Sequence, residues 1–260
     1  MIDYSFPMQE LEYFLLILTR VTCFVFSAPF FSMNNTPRRV RIALSVFISY
    51  VIYGAIQSHV YPEYSSLLTY AILVLKEAIV GLLIGLGAAM CTQIVQFAGH
   101  IVDTEIGFSM ASLMDPLTKE QTSVTGFLYQ YSFILIMIVS GMYEYLLMAL
   151  SDTFTLIPVG SASFIINNIY NAFVTFMTEY IVVGFRIALP VFCTVLILNG
   201  VLGIMAKVAP QMNMFSVGLQ LKALAGMGAL FLSVSLLPMA SNFIFERMKI
   251  IIVSFVEAMS

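Results

Sequence analysis

The sequence predicts an all-α membrane protein of long, kinked helices and helical hairpins, and three observations predict it. Of 260 residues, 60% are hydrophobic and only 10% are charged, against about 25% charged in a typical soluble domain. Several apolar runs exceed the roughly 20 residues a helix needs to cross a bilayer core. Proline, glycine and clustered charge punctuate those runs where a helix bends or ends. An ordinary soluble globular domain is excluded. The net charge of −3 and the lack of a long basic run speak against nucleic-acid binding.

The chain opens on MIDYSFPMQELEYF, where Asp3, Glu10 and Glu12 stand in place of the basic n-region of a cleavable signal. The first apolar run is therefore expected to be retained. It covers about Leu11 to Phe31, with Arg20 near its middle. Pro29 and Pro37 bracket the turn that follows, and Arg38, Arg39 and Arg41 cluster just after it. The positive-inside tendency assigns that cluster to the cytoplasm and the N-terminus to the outside. A second run, Val40 to Val60, closes with a polar stretch. The third, Leu67 to Phe97, is too long for one upright span and carries Lys76-Glu77 and the series Gly81, Gly85, Gly87. Gly81-x3-Gly85 has the spacing at which two helix backbones approach closely.

Phe127 to Leu150 forms the next run, interrupted by Gly141 and Glu144. SDTFTLIPVGSAS reads as a loop, with Asp152, Pro158 and Gly160 as its turn residues. Ala162 to Met205 has the length of two spans, with Pro190 and Asn199-Gly200 as bends. Pro210-Gln211-Met212-Asn213 reads as a sharp turn between antiparallel helices, because proline cannot continue a helical ladder and asparagine caps a helix start. The last run, Phe215 to Phe245, is followed by Arg247 and Lys249. Neither an internal repeat nor the inverted symmetry of many secondary transporters is visible.

The stretch Ile101 to Thr125, IVDTEIGFSMASLMDPLTKEQTSVT, is neither a span nor an ordinary surface loop. Asp103, Glu105, Asp115, Lys119 and Glu120 exclude it from hydrocarbon, yet GFSMASLM between them is small and greasy. At membrane depth such a segment must be buried in protein or line a cavity. Two readings follow: a re-entrant loop that packs, or a movable seal across a pore. In the second, Gly107 is the hinge, and Phe108, Ser109, Met110, Ala111, Leu113 and Met114 form the seal. Asp115-Pro116 stiffens its far end. Methionine's flexible, polarisable side chain adapts to surfaces of differing shape, and an apolar constriction blocks ions by dewetting.

Arg20, Lys76, Glu77, Glu144, Glu179, Arg186, Lys207 and Lys222 lie inside or at the ends of apolar runs. An ionisable group at the bilayer centre costs about 2.5–3.5 kcal/mol even on the lenient insertion scale. These groups must pair within the chain, face a wet cavity or contact other subunits. Taken together they point to a chain buried in a larger assembly. Cys23, Cys91 and Cys193 are isolated thiols in apolar runs, without metal or redox spacing. His59 and His100 have no ligand-spaced partner, and no HExxH, Gly-x-Ser-x-Gly or phosphate-cradling loop is present. Neither catalysis nor a bound cofactor or metal is expected.

Several of these residues form a larger pattern. Arg20…Ala28-Pro29-Phe30-Phe31…Pro37…Arg41-Ile42-Ala43-Leu44 resembles the N-terminal signature of the flagellar biosynthetic protein FliR family, and so does Lys76-Glu77-x3-Gly81-x3-Gly85. Gln96-x2-Gly99, then Gly107-Phe108-Ser109…Asp115-Pro116, is similar to the family's central loop. Arg186-Ile187-Ala188-Leu189-Pro190 and Ala209-Pro210-Gln211-Met212-Asn213-x-Phe215-x2-Gly218-x2-Leu221-Lys222 resemble its C-terminal half. Two positions depart: Lys207 stands where the family has arginine, losing bidentate geometry, and Asp103 where the family more often has a small or apolar residue.

The resemblance implies a FliP-like part at 1–185, containing the plug loop at about 101–125, and a FliQ-like hairpin at 186–260. It implies a non-enzymatic subunit of the flagellar type III export gate, assembled with several copies of FliP and FliQ. The gate would work with FlhA, FlhB and a cytoplasmic ATPase to pass unfolded flagellar proteins across the bacterial inner membrane. The homologous subunit of virulence type III secretion shares much of the pattern, and a small-solute secondary transporter is the rival from another class. The resemblance also implies that the gate is raised toward the periplasm. Arg20, Lys76, Glu77, Arg186, Lys207 and Lys222 would then be assembly charges, and span counting would mislead.

Overall fold

The computed structural model describes residues 8–29, 31, 36–56, 61–62, 64, 66–108, 123–209, 211 and 213–259. Every described element is helical. α1 (Met8–Ser27) buries Tyr13, Leu16, Ile17, Arg20, Val21 and Phe24, a stripe at three- and four-residue spacing. α2 (Arg38–Ala55) starts directly after Pro37 and buries Ser45 and Ser49, whose hydroxyls donate back to the Arg41 and Ser45 carbonyls. α3 (Leu67–Ile106) is one 40-residue helix. α4 (Val124–Val139) and α5 (Met142–Leu156) are separated by Ser140 and Gly141. α6 (Ile166–Val208) runs for 43 residues with Pro190 inside it. α7 (Met214–Ser233), a 3-10 turn (Val234–Leu236) and α8 (Leu237–Glu257) complete the chain.

Among the described residues three stretches are long and apolar enough to cross a membrane: Leu67–Ile106, Ile166–Val208 and Phe215–Glu257. The pair Val124–Val139 and Met142–Leu156, bent by 69°, makes a fourth if it counts as one span. Large apolar side chains stay exposed along them, Leu67 at 88% and Phe231 at 80%. A surface of that kind is covered by lipid or by other chains.

The sequence-based boundaries shift in three places. The central stretch is shorter than expected, because α3 continues through Ile106 and α4 begins at Val124. Val102 and Ile106 are buried in an apolar cluster, which rewards another turn and a half of helix. Ser151 to Leu156 belong to α5 and not to a loop, since Thr153 and Phe154 are buried and the Thr153 hydroxyl donates to the Leu150 carbonyl. The expected Ala162–Met205 pair of spans is one continuous helix, which also carries the chain unbroken through the 185/186 division.

The chain separates into two compact units, Met1–Met90 with Gly141–Phe176 and Glu246–Ser260, and Cys91–Ser140 with Met177–Phe245. In the first, Gly81 lets α3 lie directly on α1: a Cβ there would meet the Arg20 carbonyl oxygen at 2.0 Å. The amides of Ser163 and Ile165 donate to the carbonyls of Met259 and Ala258, tying the segment before α6 to the end of α8. In the second unit, Gly99 meets Gly126, and a Cβ on Gly99 would sit 2.2 Å from the Gly126 Cα. Phe133 and Phe245 meet in a tilted pair, ring centroids 5.1 Å apart and planes 47° apart.

Candidate functional site

The second unit holds the base of the central stretch. Val102 and Ile106 of α3 pack with Ala188, Val191 and Val195 of α6, and Phe108 lies partly buried against this cluster. Gly107 ends α3 at φ +95°, with its amide donating to the Asp103 carbonyl. That conformation is open to glycine and strained for other residues, so backbone sterics call for glycine where the chain leaves α3. A Cβ at 107 would also press on Leu219 at 3.0 Å.

Asp103 is the functional-looking residue that sequence reasoning left unassigned. Its side chain is buried and accepts hydrogen bonds from the Ser123 hydroxyl at 2.7 Å and the Thr125 amide at 3.2 Å. Ser123 caps α4 by accepting from the Gly126 amide at 2.9 Å. Asp103 and Ser123 together satisfy two of the orphan amides at the start of α4, and a carboxylate there suits the helix dipole. The chain therefore leaves and re-enters the fold at one place. Gly99, Asp103 and Gly107 are spaced by four, on one face of α3. That spacing was the available signal.

Of the expected seal, Gly107 and Phe108 are described, and Phe108 spends part of its ring on the apolar cluster. Ser109, Met110, Ala111, Leu113, Met114, Asp115 and Pro116 lie outside the described residues. At the expected turn, helix stops at Val208 and resumes at Met214. Asn213 accepts from the Ser216 amide at a long 3.5 Å, Gln211 is exposed, and Pro210 lies outside the described residues.

The six grouped charges separate into two sets. Arg20 and Glu77 are fully buried in the first unit, with Arg20 Nε donating to Glu77 Oε2 at 2.5 Å. The rest of the guanidinium donates to the Thr153 carbonyl at 3.2 Å and the Ile157 carbonyl at 3.1 Å, and Phe154 covers it at 4.2 Å. Glu77 Oε1 accepts from the Gly160 amide at 2.8 Å. Both side chains therefore find their partners inside the chain, the first of the outcomes open to an ionisable group in an apolar run. Two long apolar helices meeting at Gly81 leave no water there, so each charge had to find its partner internally.

Lys76 points about 100° away from Glu77 on the helix and is only half-buried. Arg186 and Lys207 are exposed and Lys222 is half-buried. None of these four has an ion-pair partner among the described residues. Arg186 borders an apolar cleft of about 290 Å³ with Tyr129, Pro190, Ser233 and Phe243. Pro190 has no N–H, which leaves the Arg186 carbonyl without its helical donor. Among the described residues no group of three His, Cys, Asp or Glu side chains could hold a metal.

The described residues define an all-helical membrane protein with a buried Arg20–Glu77 pair and, among those residues, four cations without an ion-pair partner. Comparison with known proteins gives the class its family. The sequence profile of "Bacterial export proteins, family 1" matches residues 11–248. The flagellar biosynthetic protein FliR of Bacillus subtilis is 31% identical over 219 residues, covering 80% of this chain and 81% of that protein. FliR of Aquifex aeolicus is 27% identical, covering 88% and 87%. The surface presentation of antigens protein SpaR of Shigella flexneri is 28% identical, covering 88% and 90%. The chain belongs to the bacterial export protein family that includes FliR, the family its sequence resembles.

Proposed function

We propose that this chain is a non-enzymatic subunit of the flagellar type III protein export gate in the bacterial inner membrane. It forms the channel with several copies of FliP and FliQ, cooperates with FlhA and FlhB, and passes unfolded flagellar proteins. Its 1–185 part takes the FliP-like role and 186–260 the FliQ-like one. Arg186, Lys207, Lys222 and Lys76 find their counter-charges on those neighbours. The gate is raised toward the periplasm, which takes these charges out of lipid. The stretch from Gly107 to Pro116 closes the channel when no substrate is present.

The observation that carries this reading is the closed base of the central stretch in a chain of this family. Gly107 turns the chain out, and Asp103 receives it back at Ser123 and Thr125, so the segment between is anchored at both ends by rigid helices. A closure element needs that arrangement, because free ends would let it drift from the channel axis. The test replaces Gly107 to Met114 by a short Gly/Ser linker in cells co-expressing FliP and FliQ. The expected result is a complex of unchanged size and an inner membrane leaky to ions. An assembled variant as tight as the native gate assigns the loop to packing alone. The likeness to SpaR favours one second reading, the equivalent subunit of a virulence system, and rescue of motility in a strain lacking FliR separates the two.

A further inference from the structure

The first unit carries a site that the export function leaves unused. Four tyrosine rings, Tyr13, Tyr61, Tyr64 and Tyr70, line a cavity of about 360 Å³ together with Glu12 and Gln9. Tyr13 and Tyr61 meet edge to face at 69° with centroids 5.6 Å apart, and Tyr64 and Tyr70 at 51° and 5.3 Å. Walls set at such angles make a box for a rounded group, not a slot for a flat one. The Tyr64 hydroxyl donates to Glu12 Oε2 and the Tyr70 hydroxyl to the Glu12 carbonyl at 3.1 Å. Among the described residues Glu12 Oε1 keeps no partner, and none of those lining the cavity is a lysine, arginine or histidine. The hydrogen bond to Glu12 also pushes the Tyr64 phenol above its ordinary range, so the contact persists at physiological pH. Electron-rich ring faces around an unneutralised carboxylate select a cation.

A second cavity, of about 400 Å³, shares Tyr70 with the first and runs between α1 and α3 past Leu15, Leu18, Cys23 and Val74. It is lined mainly by apolar groups. Tyr70 sits in the first turn of α3 and lines both cavities, so the acidic tyrosine box opens directly onto the apolar groove. We propose that the two cavities form one site for an amine-headed zwitterionic phospholipid, with the ammonium in the tyrosine box beside Glu12 and an acyl chain in the adjoining groove. The carboxylate disfavours an anionic headgroup, and the apolar groove disfavours a small free amine.

Native mass spectrometry of the full-length chain, extracted in detergent with whatever proteins co-purify, tests this. The probes are phosphatidylethanolamine and phosphatidylglycerol with identical acyl chains. Retention of the amine lipid at about tenfold lower concentration than the glycerol lipid is expected from one desolvated cation–aromatic contact. Glu12→Gln and Tyr64→Ala should each erase most of that preference, while Leu196→Ala, on an exposed position of the other unit, should leave it intact. Tyr64 lies in a loop, so its variant carries the test if Glu12→Gln does not accumulate. Equal retention of the two lipids, or an unchanged preference in either variant, overturns the proposal. A zero-length cross-link from Glu12 to a partner's lysine, with no lipid retained, overturns it in favour of a protein contact.

Discussion

Arg20 and Arg186 are the same residue type, each set in a long apolar helix, and they have opposite fates. Arg20 in the first unit is fully buried and makes its bonds to Glu77, Thr153 and Ile157. Arg186 in the second unit is exposed beside an apolar cleft and has no ion-pair partner among the described residues. The difference teaches where the chain ends as a physical unit. A buried guanidinium must be satisfied at once, by the chain itself, or the fold does not form. An exposed one in an apolar helix can wait for a neighbour, and its cost is met only on assembly. The first kind of charge builds the subunit, and under the proposed function the second kind builds the complex.

The largest effect is expected at the buried pair. Arg20→Ala or Glu77→Gln strands the remaining partner, and breaking a buried pair costs about 3–5 kcal/mol. Each variant is expected to lose most accumulation in membranes and to unfold at markedly lower temperature in detergent. Normal accumulation of both would move Arg20 into the same class as Arg186.

A smaller effect belongs to Asp103. Asp103→Ala removes hydrogen bonds from the Ser123 hydroxyl and the Thr125 amide, and a bond to a charged group is worth about 1.5–3 kcal/mol. The chain should still fold, with hydrogen exchange at Thr125 and Gly126 raised and the rest of α4 protected as before. Unchanged exchange there would show that Ser123 alone holds the start of α4.

The smallest effect on the chain itself is expected at Arg186 and Lys222. Each exposed or half-buried cation replaced by alanine should change subunit stability by no more than about 0.5 kcal/mol. Motility and the yield of gate complex on sizing should fall, because the counter-charge on the neighbouring subunit is left unpaired. If both variants assemble and swim normally, the assembly role of these cations fails and the contrast with Arg20 reduces to burial alone.

Much of this molecule was determined by the sequence alone. Apolar runs longer than a bilayer core admit only helices, because backbone groups in hydrocarbon must be satisfied within the segment. The Gly81-x3-Gly85 spacing announced a close helix approach, and Gly141 and Gly107 marked places where helices stop. The ordered motifs from Arg20 to Lys222 were enough to place the chain in its family. The tertiary structure decided which charges meet. Glu77 and Lys76 are adjacent in sequence, and the 100° between neighbouring helical residues sends one into a buried pair and leaves the other half-buried. Asp103, a departure from the family pattern, has its local pairing decided where Gly99 and Gly126 bring α4 against α3 and give the carboxylate its two donors. Partners 57 residues apart, as in Arg20 and Glu77, leave no mark in local periodicity. A pairing energy depends on distance and burial, and both exist only once the helices have packed.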